Sequence, residues 1–159
     1  MEIKEVIELV RQTKCFVENR EMAGHVKVKG LADYVTQVDT KIQSFLKKEL
    51  QELAPNIQFL GEEEGLHEMS GDTFWILDPI DGTTNLIHDY QHSTVSLGLY
   101  EKGEIILGVV YDPFREEVFS AEKGKGCFFA EGVFNHNIPV TKEQAGQAIA
   151  ELEAYKAAL

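Results

Sequence analysis

At Pro55-Asn56 the hydrophobic pattern of this chain changes period, and that change limits the folds open to it. Before it, apolar residues recur at helical spacing; after it, they alternate or come in short runs. Ile3, Val6, Ile7, Val10 and Val17 make the first twenty residues an amphipathic helix. Val26 and Val28 alternate with His25, Lys27 and Lys29, the pattern of a short strand or a basic loop. Thr36 and Asp39 form a T-x-x-D helix start, and Val38, Ile42, Phe45, Leu46, Leu50 and Leu53 give the helix that follows one apolar face. Beyond Asn56, residues 57–60, 74–77, 94–100, 105–111, 117–121 and 127–130 read as short strands. Glu101-Lys102-Gly103-Glu104, Asp112-Pro113, Lys123-Gly124-Lys125-Gly126 and Glu131-Gly132 read as the turns between them. The predicted class is α+β, with two N-terminal helices packed on an antiparallel sheet.

The chain has 159 residues, enough for one domain. Apolar residues make up 43% and charged residues 26%, which excludes disorder. No apolar run approaches the roughly 20 residues of a membrane span. Met1-Glu2-Ile3-Lys4-Glu5 lacks the basic-then-apolar order of a signal peptide. Cys15 and Cys127 have no CxxC spacing and read as free thiols of a cytoplasmic protein. The net charge of -12 repels nucleic acid and anionic membranes, so neither is an expected partner. It would also repel a phosphorylated substrate, unless divalent cations on some of the carboxylates reverse the field locally. On charge alone, the simpler reading is that it keeps the protein in solution.

The densest chemistry lies in Trp75-Ile76-Leu77-Asp78-Pro79-Ile80-Asp81-Gly82-Thr83-Thr84-Asn85. An apolar strand delivers two carboxylates, three positions apart, into a turn. Pro79 removes a backbone donor, and Gly82 permits unusual dihedrals or a close backbone approach. A helix starting at Thr83 would point its first N–H groups outward, where they can hold a phosphate. Taken alone, Asp-Pro and Asp-Gly are also ordinary turn pairs. Gly61-Glu62-Glu63-Glu64-Gly65 alone reads as a solvated acidic loop, and Asp39 alone as a helix-start residue. His88 and His92 lie four apart but in a polar stretch that reads as a surface loop. Trp75 reads as strand core, and Lys27 and Lys29 as surface lysines.

In this order the three acidic pieces resemble the inositol monophosphatase family, within the wider lithium-sensitive, metal-dependent phosphatase superfamily. Asp78 to Asn85 matches the family's acid-Pro-apolar-acid-Gly-Thr motif, Gly61-Glu62-Glu63 its upstream Gly-Glu-Glu, and Asp33 to Asp39 its Asp-x-Val-Thr-x-x-Asp segment. Gly108-Val109-Val110-Tyr111 and Gly124-Lys125-Gly126 resemble its central strands. The likeness spans nearly all of residues 1–140, as an N-terminal metal-binding domain, and leaves 141–159 as a divergent helix. The resemblance implies that Glu62, Asp78 and the carbonyl of Ile80 hold a first Mg2+, with Asp78 bridging to a second beside Asp81. Two or three Mg2+ ions are expected in all. Gly82 and Thr83 would contact the substrate phosphate. The Thr83 hydroxyl, held by Asp39, would help Glu62 orient the attacking water.

The sequence departs from the family near its end. Thr141-Lys142-Glu143-Gln144 is a capping box, and Ala145, Ala148, Ile149, Leu152 and Tyr155 follow a helical stripe, where the family places strand. The family's later Trp-Asp motif is missing, since Trp75 is the only tryptophan. By the resemblance, the second metal site would then be one ligand short in this sequence. Two functions follow as expectations. One is a phosphomonoesterase acting on inositol monophosphate or a similar small phosphate, with fructose-1,6-bisphosphate and nucleotide bisphosphates as alternative substrates. The other is a truncated, inactive fragment that binds metal or acts as an interaction module. The sheet face left bare by the missing half would then join copies into a homo-oligomer.

Overall fold

The N-terminal apolar stripe folds as three short helices, α1 (Ile3–Arg11), α2 (Lys14–Val17) and α3 (Arg20–Gly24), and not as one. In the computed structural model, which describes residues 1–30, 33–60, 71–131 and 138–139, two polar residues make the breaks. The Thr13 hydroxyl turns back onto the Val10 carbonyl at 2.6 Å. Asn19, in extended conformation, accepts from the Met22 N–H at 3.1 Å and starts α3 as its cap. The stripe survives the breaks, for Val6, Ile7, Val10, Val17 and Ala23 are all buried. Next come β1 (Val26–Gly30) and β2 (Asp33–Thr36), an antiparallel pair that forms a small sheet of its own. β1 settles the basic segment as strand; β2 was not expected.

The helix α4 (Gln37–Leu53) begins at the expected signal. Thr36 and Asp39 form a reciprocal capping box, and Val38, Ile42, Leu46 and Leu50 are fully buried. The main sheet follows: β3 (Gln58–Leu60), β4 (Thr73–Asp81), β5 (Thr94–Glu101), β6 (Glu104–Asp112), β7 (Glu117–Glu122), β8 (Gly126–Glu131) and β9 (Ile138–Pro139), with the helix α5 (Thr83–Ile87) between β4 and β5. Neighbours in the sheet follow chain order. Every pair is antiparallel except the short edge pair of β3 with β4, so the expected antiparallel sheet is present with one parallel strand added at its edge. Between β5 and β6, Lys102 and Gly103 both take positive φ, 48° and 100°, as a tight hairpin turn requires. Of the turn expected at Glu131-Gly132 only Glu131, the last residue of β8, is described, and the helix expected over 141–159 lies outside the described residues.

Strand register sorts side chains onto two faces. Trp75 lies opposite Leu99, Leu77 opposite Leu97, Leu97 opposite Val109, and Tyr111 opposite Val118. These residues share one core cluster with the apolar faces of α1 and α4. Trp75 is thus core, as its strand context predicts. The other face carries Phe74 stacked on Tyr100, with ring centroids 4.6 Å apart, and Phe119 against Phe129 at 4.9 Å. There Ile105, Val110 and Phe119 remain 52%, 37% and 47% exposed. Cys15 and Cys127 are exposed free thiols. No helix among the described residues is long and apolar enough to cross a membrane.

Tyr111 joins the N-terminal helices to the sheet, and its burial pushes the phenol above its usual range. Lys14, 3.0 Å from Glu116, is also raised, chiefly by its hydrogen bond to that carboxylate. For both groups the folded state holds its proton more tightly than the unfolded chain. Their stabilisation is complete below the unfolded values, about 10 for each, and is lost as pH rises through the folded values. In urea titrations, Tyr111→Phe is expected to lose less stability than the wild type between pH 9 and 11. Parallel losses would remove Tyr111 from this account.

Candidate metal centre

β4 and β5 pair residue for residue from Thr73/Glu101 to Asp78/Ser96, and the next pair is Asp81/Thr94. Three steps on β4 therefore face two on β5, a β-bulge of one extra residue at Pro79-Ile80. Pro79 cannot donate to the ladder, so the irregularity falls where a donor is already missing. The bulge has a chemical consequence. In a regular strand, residues three apart point to opposite faces. The extra residue restores the parity, so Asp78 and Asp81 share a face with Ser96 and Thr94. Both acids are exposed, while Pro79 and Ile80 between them are buried.

The turn that follows is built around Gly82, at φ 87° and ψ 44°. A Cβ there would sit 3.1 Å from the Asn85 side-chain nitrogen and 3.1 Å from the His92 carbonyl. Conformation and space thus both call for glycine. α5 starts at Thr83, as expected, and its N-cap, Gly82, has no side chain to cap its first turn. Asn85 Nδ2 donates to the His92 carbonyl at 2.7 Å, and the buried Ser93 hydroxyl donates to the Gly82 carbonyl at 2.9 Å. Arg20 donates to the carbonyls of Leu86 and Ile87 at 2.8 and 3.3 Å and pairs with Asp89 at 3.3 Å. The turn is therefore fastened from both ends. The roles of Arg20 and Ser93 carry no sequence signal, because each acts across the fold. Asn85 stood inside the motif, but only the structure gives its side chain a partner.

Asp39 is 3% exposed. Its Oδ2 accepts from the Thr36 N–H at 2.8 Å and from the Thr36 hydroxyl at 2.6 Å. Its Oδ1 faces the Thr83 hydroxyl at 3.5 Å, and that hydroxyl also lies 3.0 Å from the Ile80 carbonyl. The expected juxtaposition of Asp39 and Thr83 is present. With one proton, Thr83 donates best to the nearer Ile80 carbonyl, and Asp39 stands at the edge of hydrogen-bond range.

Glu62 lies outside the described residues, and among the described residues no group of three His, Cys, Asp or Glu side chains could hold a metal. The donors that are described, the Asp78 and Asp81 carboxylates and the Ile80 carbonyl, are all oxygens. Such a set suits Mg2+, which takes oxygen ligands and keeps several waters. In donor type, the residues present fit a magnesium site. His88 and His92 fall beyond the end of α5; His88 is exposed and stacks on Tyr90 at 5.5 Å. They form the surface loop their polar setting predicts.

Comparison with known proteins gives the chain its family. The model of the inositol monophosphatase family matches residues 2–158. The inositol-1-monophosphatase of Rhizobium meliloti (strain 1021) is 43% identical over 104 residues, covering 65% of this chain and 39% of that protein. A Thermotoga maritima protein named fructose-1,6-bisphosphatase/inositol-1-monophosphatase is 41% identical over 103 residues, 65% of this chain and 40% of its own. The crystal structure of the extragenic suppressor protein suhB from Bartonella henselae aligns with a TM-score of 0.76 at 30% identity, over 88% of this chain and 54% of that one. The chain thus spans about two fifths of the curated relatives it matches and about half of the solved one. By its family match, and with the fold of its solved relative, the chain belongs to the inositol monophosphatase family.

Proposed function

We propose that this chain is the metal-binding part of a Mg2+-dependent phosphomonoesterase that hydrolyses inositol monophosphate or a similar small phosphate ester. The observation that carries the reading is the bulge at Pro79-Ile80, which turns Asp78 and Asp81 to one face beside the start of α5. Bound Mg2+ would neutralise phosphoryl oxygens and lower the pKa of a coordinated water. The chain's own residues do the positioning. Asp78, Asp81, the Ile80 carbonyl and Glu62 hold the cations. The amides of Gly82 and Thr83 contact the phosphate. The Thr83 hydroxyl, between Ile80 and Asp39, orients the attacking water with Glu62. The Thermotoga relative's name keeps fructose-1,6-bisphosphate as an alternative substrate.

A second reading rests on the bare sheet face of Ile105, Val110 and Phe119. Here the chain is an inactive metal-binding or interaction module that forms a homo-oligomer through that face. Apolar patches left in solvent mark association surfaces.

Three outcomes are expected. Phosphate release from inositol 1-phosphate depends on added magnesium, and Asp78→Asn lowers it roughly a hundredfold or more, as loss of one preorganised charge-stabilising group does. No release by the wild type across a panel of sugar phosphates at saturating magnesium rules out the enzyme reading. Gly82→Ala, forced into a left-handed conformation, costs about 1–3 kcal/mol in thermal or chemical denaturation. For the second reading, sedimentation equilibrium should show a dimer or larger species that Phe119→Glu breaks into monomers. A monomeric wild type excludes it.

A further inference from the structure

We propose that a pocket between β1 and the outer face of α4 binds a small, multiply charged phosphate anion, apart from the metal centre. The pocket has a volume of about 450 Å³ and is lined by His25, Lys27, Thr36, Gln37, Thr40 and Lys41. Two ammonium groups from different elements, an imidazole, the Gln37 amide and the Thr40 hydroxyl meet there, and among the described residues no carboxylate lines it. The buried Thr36 hydroxyl, already bonded to Asp39, closes the pocket floor. In a chain of net charge -12 this is a local reversal of sign.

The two lysines differ from others in the molecule. Lys14, Lys48, Lys123 and Lys125 each pair with a glutamate. Among the described residues neither Lys27 nor Lys41 has an acidic partner, so an incoming anion displaces none. The helix amides are not the attraction. The Gln37 N–H is bonded to the His25 carbonyl at 3.2 Å and the Val38 N–H to the Thr36 hydroxyl at 3.1 Å. The side chains supply the charge. An anion with two or more negative charges can answer cations on both walls at once, whereas a singly charged one answers only one.

Position separates this pocket from the metal centre. On α4, Val38, Asp39, Ile42 and Leu46 are buried, and Asp39 faces Thr83. Gln37, Thr40 and Lys41 are exposed on the opposite side of the helix. The site does not depend on metal, and its test distinguishes its failure from that of the phosphatase reading.

The test titrates inorganic pyrophosphate into the chain, stripped of metal with a chelating resin, at low ionic strength. Backbone amide spectra read both the location and the fold. Saturable shifts are expected at residues 25–27 and 37–41, with affinity that falls as salt rises. The double variant Lys27→Ala/Lys41→Ala, altered only at exposed positions, weakens binding at least tenfold with the rest of its spectrum unchanged. Lys41→Glu alone weakens it further than Lys41→Ala, and Asp78→Asn leaves it unaltered. Shifts confined to residues 78–84, equal affinity in the double variant, or no saturable binding would each overturn the proposal.

Discussion

One extra residue in one strand decides what this fold can do. Without the bulge at Pro79-Ile80, Asp78 and Asp81 would lie on opposite faces of β4, one toward the helices and one away. The first would then be a carboxylate in an apolar core, which is costly unless paired. With the bulge, both acids reach the same exposed face, and the buried Pro79 and Ile80 anchor the irregularity from beneath. The cost of the broken ladder is small, because proline could not have donated there. The candidate metal chemistry, the turn at Gly82 and the start of α5 all follow from this local change of parity.

Packing holds the bulge in place. Trp75 and Leu77, just before it, lie in the core against α1 and α4. α4 brings Asp39 to the turn. Burial of that carboxylate is supported by two hydrogen bonds from Thr36, which at the same time cap the helix. From the other side, Ser93, Asn85 and Arg20 fasten Gly82 and α5 to the neighbouring loop and to α3. Stability and candidate function thus share residues. Asp39 completes the capping box of α4 and is also a neighbour of Thr83, and Gly82 is both a turn residue and a place where a Cβ would be crowded.

Much of this was legible in the sequence. The change from helical to alternating spacing marks α4 and most strands, since both periods come directly from backbone geometry. The Thr36/Asp39 signal and the helix start at Thr83 were legible because caps and turns depend on local residue chemistry. Five features were not. The bulge depends on strand pairing, and the spacing of Asp78 and Asp81 alone cannot tell same-face from opposite-face acids. The breaks at Thr13 and Asn19 leave the apolar stripe intact, so periodicity passes over them. β2 pairs only with β1, and its residues 33–36 also lead into a helix. The parallel direction of β3 against β4 is a matter of chain routing between strands. The grip of Arg20 on α5 joins residues 66 apart and has no local trace.

The central claim is that the bulge turns this stretch into a divalent-cation site. Paramagnetic Mn2+, added at substoichiometric amounts to the isotopically labelled chain, tests it most directly, because broadening of amide resonances reports distance from the ion. The account predicts that resonances of residues 78–84 broaden first and that excess Mg2+ restores them. Broadening that begins instead at the acidic surfaces of α1 or α4, with residues 78–84 untouched, would contradict it.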